Sequence, residues 1–141
     1  MQQASVRLEA LGFDVGYRYI ERSTKDRARL SSTLDIIKYL CKDFWLQIFR
    51  KQVDMLQTNH KGVFVMQDLN FRWLRYFSSH NDEDTNRQAA PFIVFPCGLI
   101  RGALANLGIS ATVQADVGLP NHPNLLACKL FRTVAILAHV H

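Results

Sequence analysis

The sequence predicts an α+β fold in which helices pack on one side of an antiparallel four-stranded sheet. Two observations support it: three stretches have apolar residues at helical spacing, and other stretches alternate apolar and polar residues as strands do. The stretches follow one another as two helices, a pair of strands, a third helix and a second pair of strands. At 141 residues, the chain (1–141) is predicted to be one domain with a core of its own.

The stretch from Phe92 to Gly108 predicts a buried central helix, because it is apolar on nearly every side. Gly98 and Gly102 lie four residues apart, so one face has almost no side chain and another element can approach closely. We expect Pro96 to kink the helix or to mark its first turn. Gly108 stands where a helix commonly ends in a left-handed turn.

The stretch from Ser5 to about Arg22 predicts the first helix. Gly12 and Gly16 give it a second close-approach surface, and its apolar residues form more than one stripe. Two interpretations remain open for it: a helix buried in the core, and a helix shared between the core and a partner protein. The main stripe consists of Leu8, Leu11, Val15 and Tyr19, with Phe13, Tyr17 and Ile20 beside it.

The second helix is predicted to start at Ser32, because Ser32 and Asp35 form an S-x-x-D capping pattern. Its wide apolar face continues to about Val53. The preceding segment, residues 23–31, contains Lys25, Arg27 and Arg29. We interpret it as a solvated loop, with a contact to acidic lipid or an acidic partner as the alternative.

The strands are predicted as a hairpin of Val63–Gln67 and Phe71–Phe77, an alternating strand at Ile109–Val117, and a last strand from about Leu126. Residues 78–90 predict a mobile surface loop. Phe71, Trp73, Arg75 and Phe77 share one face of the predicted strand 71–77, which raises a second hypothesis, a small basic RNA-binding domain that uses this strand. No RNP1-type pattern accompanies them.

No residue pattern predicts an active site, a metal site or a cofactor site. The chain lacks phosphate-binding glycine loops and paired catalytic residues, and its five histidines lie in turns, loops or the last residues. The three cysteines are odd in number and embedded in apolar sequence, so we expect reduced core residues. Arg101 either snorkels or caps carbonyls within the fold, or contacts an anion or partner. The net charge of +5 is compatible with nucleic acid or an anionic membrane surface.

Four blocks of the sequence closely resemble the small-subunit family of the TRAPP vesicle-tethering complex, and within it the subunit 6 branch. They are GFDVGYRYIER (12–22), LDIIKYLCKDFW (34–45), TNHKGVFVMQD (58–68) and CGLIRGALANLGI (97–109). The last block supplies a structural motif of Cys97, Gly98, Arg101 and Gly102. The resemblance covers the chain in order from Leu8 to Leu130.

The resemblance implies a scaffold subunit without catalytic residues, which forms a heterodimer with a related small subunit. The assembled complex would tether vesicles between endoplasmic reticulum and Golgi and act as exchange factor for a Rab GTPase. The subunit would then be cytoplasmic and peripheral at those membranes, with no nucleic-acid partner and no cofactor. The resemblance assigns the partner interface to the first helix: Leu8, Leu11, Gly12, Val15, Gly16, Tyr19 and Ile20.

Three departures from the family pattern accompany the resemblance. Family members usually carry a helix before the segment that begins this chain. We expect a native short form to pair weakly and to expose apolar surface, and an incomplete sequence is the alternative explanation. A relative holds a fatty acyl chain on a loop cysteine, whereas residues 25–29 here contain none, so we expect no acylation there. Residues 131–141 do not resemble the family's ending, and Arg132 falls on the inward phase of the last strand.

Overall fold

The computed structural model describes residues 2–25, 30, 32–76, 82–119 and 122–132. The first helix, α1, spans Gln2–Thr24. The second, α2, consists of Thr33–Tyr39, a π-helical turn at Leu40–Phe44, and Trp45–Phe49. The third, α3, spans Asp82–Asn106. The strands are β1 (Met55–Thr58), β2 (Val63–Asp68), β3 (Ala111–Leu119) and β4 (His122–Arg132).

The four strands form one antiparallel sheet in the order β1-β2-β4-β3. Along β2, and along β4 from Leu126 to Leu130, every second side chain is buried, as expected for a sheet that covers a core with one face. The buried residues of the two strands pair across the register, Phe64 with Leu130 and Met66 with Cys128. The core therefore lies between this face and the helices, and the predicted α+β architecture is confirmed.

The predicted start of α2 is also confirmed, because the Ser32 hydroxyl accepts a hydrogen bond from the backbone N–H of Asp35 at 3.1 Å. The helix ends at Phe49 instead of Val53, since Arg50 adopts a left-handed conformation with φ 64°. The π-helical turn has a use in the fold. Its Cys41 carbonyl accepts the N–H of Val53 at 2.8 Å, which fastens the chain that leaves α2 back onto the helix.

The predicted strand at Phe71–Phe77 is wrong. The backbone forms a 3₁₀ helix at Arg72–Tyr76, and Phe77 lies outside the described residues. The two buried residues, Phe71 and Leu74, are three apart, which is the period of a 3₁₀ helix, and the N–H of Leu74 donates to the Phe71 carbonyl. The hairpin partner of β2 is instead β1, joined through the turn that ends at Gly62 with φ 95°.

The predicted loop at residues 78–90 is wrong from Asp82 onward, because α3 already begins there. That part of the helix is polar, so its sequence lacks apolar periodicity, although acidic residues such as Asp82 and Glu83 favour a helix N-terminus. The helix runs through Pro96 instead of starting there. It ends before Gly108, whose φ of 88° confirms the predicted left-handed stop. Residues 78–81 lie outside the described residues.

The last strand begins at His122, four residues before the predicted start. Arg132 has the inward phase but lies exposed at the end of β4, where its Nη1 donates to the Thr33 hydroxyl at 2.9 Å. The expectation for residues 133–141 lies outside the described residues.

Candidate functional site: the exposed face of the first helix

Helices α1 and α3 touch backbone to backbone at their glycines. Gly16 of α1 lies against the Leu99 carbonyl of α3, and a Cβ added there would overlap it. Gly102 of α3 lies against the Phe13 carbonyl of α1 in the same way. The contact repeats farther along the pair, where Gly12 meets Phe95 and Gly98 meets Glu9. Both glycine pairs that the sequence marked as close-approach surfaces therefore serve one helix–helix contact.

Arg101 fixes the same contact at its rim. Its Nε donates to Glu9 Oε1 at 2.7 Å, its Nη2 lies 2.6 Å from the same oxygen, and its guanidinium stacks 4.4 Å from the Phe13 ring centroid. Glu9 and Phe13 both belong to α1, whereas Arg101 belongs to α3. Arg101 therefore makes an ion pair and a cation–π contact between α3 and α1, instead of the snorkelling or carbonyl capping that the sequence suggested.

With α1 held in this rotation, part of the predicted interface faces into the chain. Gly12 and Gly16 contact α3, and Ile20 is fully buried in the core. A partner can reach none of these three without separating α1 from α3. Tyr19 is half-buried because its ring packs edge-on against Phe44 of α2, with centroids 5.8 Å apart.

The other predicted residues form an outward row that we call the α1 stripe: Leu8, Leu11, Val15 and Tyr19. Leu11 is 56% exposed and Val15 is 41% exposed. Large apolar side chains in such a row leave water only when another surface covers them. Leu11 and Val15 in the middle of the α1 stripe are therefore the accessible part of the predicted interface, whereas Leu8 and Tyr19 at its ends are half-buried.

One exposed apolar residue of α1 was missed by the sequence analysis. Val6 is 66% exposed and precedes Val15 by nine residues, which places it about 180° around the helix. It shares its flank with Phe13 and Tyr17, whose rings stack at 6.1 Å. The helical spacing of Val6, Phe13 and Tyr17 in the sequence could have identified this second apolar flank.

The described residues form two clefts but no grouped metal ligands. No group of three or more His, Cys, Asp or Glu side chains in the described ranges is placed to hold a metal ion. Two open clefts beside the start of α2 share Ser32, Thr33 and Arg132, and Arg132 Nη1 donates to the Thr33 hydroxyl at 2.9 Å. His60 lines one of the two clefts. None of the described helices is long and apolar enough to cross a membrane.

The three cysteines are free thiols. Burial raises the pKa of Cys41 to about 12. For Cys97, burial and the Glu9 carboxylate together raise the pKa to about 12. Burial also raises the pKa of Cys128 well above its usual value. Such thiols carry little thiolate near neutral pH, so they pack as small apolar groups.

The described aromatic residues of the RNA hypothesis pack into the core, and the side chain of Arg75 lies outside the described part of the chain. Phe71 is fully buried, and the Trp73 ring lies among Phe49, Phe71 and Phe95 at centroid distances of 5.3, 5.8 and 5.7 Å. Base stacking needs aromatic faces that are open to solvent. These aromatic residues stabilise the core.

The fold and its surface together define a class, a small α+β domain that exposes an apolar face of its first helix. The sequence comparisons specify this class further. The model of the transport protein particle (TRAPP) component family matches residues 1–132. The chain belongs to the TRAPP component family of vesicle-trafficking subunits.

Its curated relatives include subunits 6B and 6A of the trafficking protein particle complex. The chain is 47% identical over 123 residues to subunit 6B of Mus musculus, covering 87% of this chain and 73% of that protein. It is 43% identical over 110 residues to subunit 6A of Homo sapiens, covering 78% of this chain and 68% of that protein. The resemblance to the subunit 6 branch is confirmed.

A solved structure shares the fold. It is a trafficking protein particle complex subunit 3 from Naegleria fowleri covalently bound to palmitic acid, with a TM-score of 0.72 over 92% of this chain and 80% of that one. The sequence identity is 14%, so this likeness shows the fold alone.

Proposed function

We propose that the chain is a non-catalytic scaffold subunit of the TRAPP complex, which pairs through the α1 stripe with a related small subunit. The observation that carries the proposal is the exposure of Leu11 and Val15 on a helix that the rest of the chain already holds rigidly. Family membership supplies the setting, since relatives at 47% identity are named as subunits of the trafficking protein particle complex.

In that role the chain would contribute surface and not chemistry. Within the assembled complex it would help to tether vesicles between endoplasmic reticulum and Golgi, and to present the exchange factor to a Rab GTPase. The subunit would be cytoplasmic and peripheral at these membranes. A stable pairing buries about 1,200–2,000 Å² in total, more than one helix face provides, so α2 would join the interface beside Tyr19.

The proposal is tested by co-expression with a TRAPP subunit 3 of the same organism, a related small subunit chosen because a subunit 3 shares this fold. We expect a 1:1 heterodimer in size-exclusion chromatography with light scattering. Val15→Asp should abolish the heterodimer, because a carboxylate would be buried without a partner. Val6→Asp is the matched control, since it makes the same change on the opposite flank of α1 and should leave the heterodimer intact.

Two results would contradict the proposal. The first is a complex that forms equally well with Val15→Asp. The second is a folded chain that stays monomeric with subunit 3 and with every other small subunit tested.

A further inference from the structure

Three arginines surround the exposed part of the α1 stripe. Arg7 lies one turn before Leu11, Arg18 lies three residues after Val15, and Arg22 lies one turn beyond Arg18. All three are exposed, and no carboxylate in the described part of the chain forms an ion pair with them. By contrast, the arginine that belongs to the internal contact, Arg101, has Glu9 as its partner.

This arrangement limits what can cover the stripe. A surface that buries Leu11 and Val15 also removes water from the neighbouring guanidinium groups. An arginine that loses its water without gaining a carboxylate opposes binding, whereas an arginine that meets a carboxylate fixes the register of the two surfaces. Asp14 and Glu21 border the row on one flank, but among the described residues neither is within ion-pair distance of these arginines.

We infer that the α1 stripe docks against an amphipathic helix of a partner chain that carries carboxylates on either side of an apolar row. The inference rests on the proposed function, because it names the chemistry of that same interface. From Arg7 the distance along α1 is about 16 Å to Arg18 and about 22 Å to Arg22, so the partner helix would need about four turns and acidic residues at both ends.

A second copy of this chain fits the same surface poorly. A symmetric antiparallel pair would place its two-fold axis beside the midpoint of Leu11 and Val15. Arg7 lies about 9 Å before that midpoint and Arg18 about 7.5 Å after it, so Arg18 of one chain would stand level with Arg7 of the other. In a parallel pair, each arginine would face the same arginine of the other copy. Arginine meets arginine in both pairings, which favours a partner of opposite charge. In the antiparallel pair Glu21, about 12 Å after the midpoint, would lie about 3 Å along the axis from Arg7 of the other copy, so the Arg18→Glu test below decides between the two occupants.

The decisive variant is Arg18→Glu, because the two pairings predict opposite effects. Against the acidic partner we expect about a tenfold or larger loss of affinity for subunit 3, and a weaker dependence of the remaining affinity on salt between about 50 and 300 mM. In self-association the same change brings the introduced carboxylate of one copy level with Arg7 of the other, so the isolated variant should begin to dimerise. Arg7→Glu combined with Arg18→Glu should lose both forms of pairing.

Lys61→Glu is the control, since it makes the same charge change on an exposed residue of the β1–β2 turn. It should leave the affinity for subunit 3 and the monomeric state unchanged. Circular dichroism and thermal unfolding establish that each variant is folded.

Two results overturn the inference. In the first, Arg18→Glu leaves the affinity and its salt dependence unchanged while Val15→Asp abolishes binding. The α1 stripe would then still be the interface, but its partner would not be acidic. The other is a wild-type chain that dimerises alone and loses the dimer with Leu11→Asp, which would make a second copy the occupant. If neither Val15→Asp nor Arg18→Glu changes binding, the proposed interface itself fails.

Discussion

Gly16 lies against the backbone of Leu99 so closely that no side chain fits between α1 and α3 at that point. A glycine inside a helix costs about 0.5–1 kcal/mol relative to alanine, and this pair of helices carries four at the contact. The cost is offset because the two backbones come within reach of each other's carbonyl groups over several turns. The rotation of α1, and with it the exposure of the α1 stripe, follows from this contact.

We therefore expect Gly16→Ala to destabilise the fold although alanine is the better helix former. The added methyl group collides with backbone, which cannot move away as a flexible side chain can, so the loss should be about 1–3 kcal/mol. Denaturant unfolding followed by circular dichroism measures it. Ala10→Gly, at an exposed position of the same helix, is the control and should cost only the propensity difference of about 1 kcal/mol. A stabilised Gly16→Ala variant would show that the helices do not touch there.

Much of the fold was predictable because local patterns decided it. The Ser32 cap, β2 and the left-handed stop at Gly108 follow from short-range chemistry, and each appears where its pattern lies. The error at 71–77 has a physical cause. Phe71 and Leu74 fit a 3₁₀ turn, yet the stretch around them also satisfies strand alternation, and only the core decides between the two. The strand β1 is four residues long and carries too little pattern to be recognised.

The site was predictable only in part. Periodicity identified the apolar residues of α1, but it could not assign each flank of the helix to a neighbour. Gly12 and Ile20 belong to the internal contact, whereas Leu11 and Val15 point outward. That division depends on the glycine contact between α1 and α3 and on the Arg101–Glu9 ion pair at its rim, which join residues far apart in the sequence.

A buried carboxylate joins α2 to the sheet and provides the second prediction. Asp68 is 1% exposed and accepts hydrogen bonds from Trp45 Nε1 at 2.9 Å and from Lys51 Nζ at 2.6 Å. Lys51→Met removes the positive charge that compensates the buried Asp68 carboxylate. We expect a loss of about 2–3 kcal/mol, below the roughly 3–5 kcal/mol typical of a fully buried pair, because Lys51 is partly exposed.

A double-mutant cycle separates this effect from lost packing. Asp68→Asn keeps the acceptor for Trp45 but removes the charge, so Lys51→Met should cost clearly less in that background. Equal costs in both backgrounds would show that the ion pair contributes nothing.

The neighbouring Asp54 makes the stability of the fold depend on pH in the acidic range. Burial would raise the pKa of Asp54, but hydrogen bonds from Lys51 and the Leu69 N–H, together with the charge of Lys51, outweigh it and lower the pKa. A lowered pKa in the folded state contributes stability above the unfolded value of about 3.9, and that contribution is lost as the pH falls through the folded value. The melting temperature of Asp54→Asn should therefore lie below wild type at about pH 6 and approach it near pH 3.

Lys51 produces the opposite dependence at the alkaline end. Burial would lower the pKa of Lys51, but hydrogen bonds to Asp54 and Asp68 and their negative charges outweigh it and raise the pKa. The stabilisation is complete below the unfolded value of about 10.4 and disappears as the pH rises through the folded value. Chemical denaturation measures the free energy of unfolding of wild type and of Lys51→Met. The difference between the two should be constant from about pH 6 to 9 and should become smaller above about pH 10.5. A difference in the free energy of unfolding that becomes smaller already at about pH 8 would contradict a raised pKa for Lys51.

The thiols provide the last prediction, which concerns their reactivity and therefore their capacity for acylation. At about pH 8 a pKa of about 12 leaves Cys97 with about 1,000-fold less thiolate than an exposed cysteine near pKa 9. Iodoacetamide should alkylate the native chain at least about a hundredfold more slowly than the chain unfolded in guanidinium, with mass spectrometry counting the modified thiols.

Replacing Glu9 by Gln removes both the carboxylate that raises the pKa of Cys97 and the partner of Arg101. This variant should label faster at Cys97 and not at Cys128, which is fully buried on β4. Rapid labelling of Cys97 in the wild-type chain would instead mean that α1 separates from α3 in solution, and the rigid presentation of the α1 stripe would then have to be abandoned.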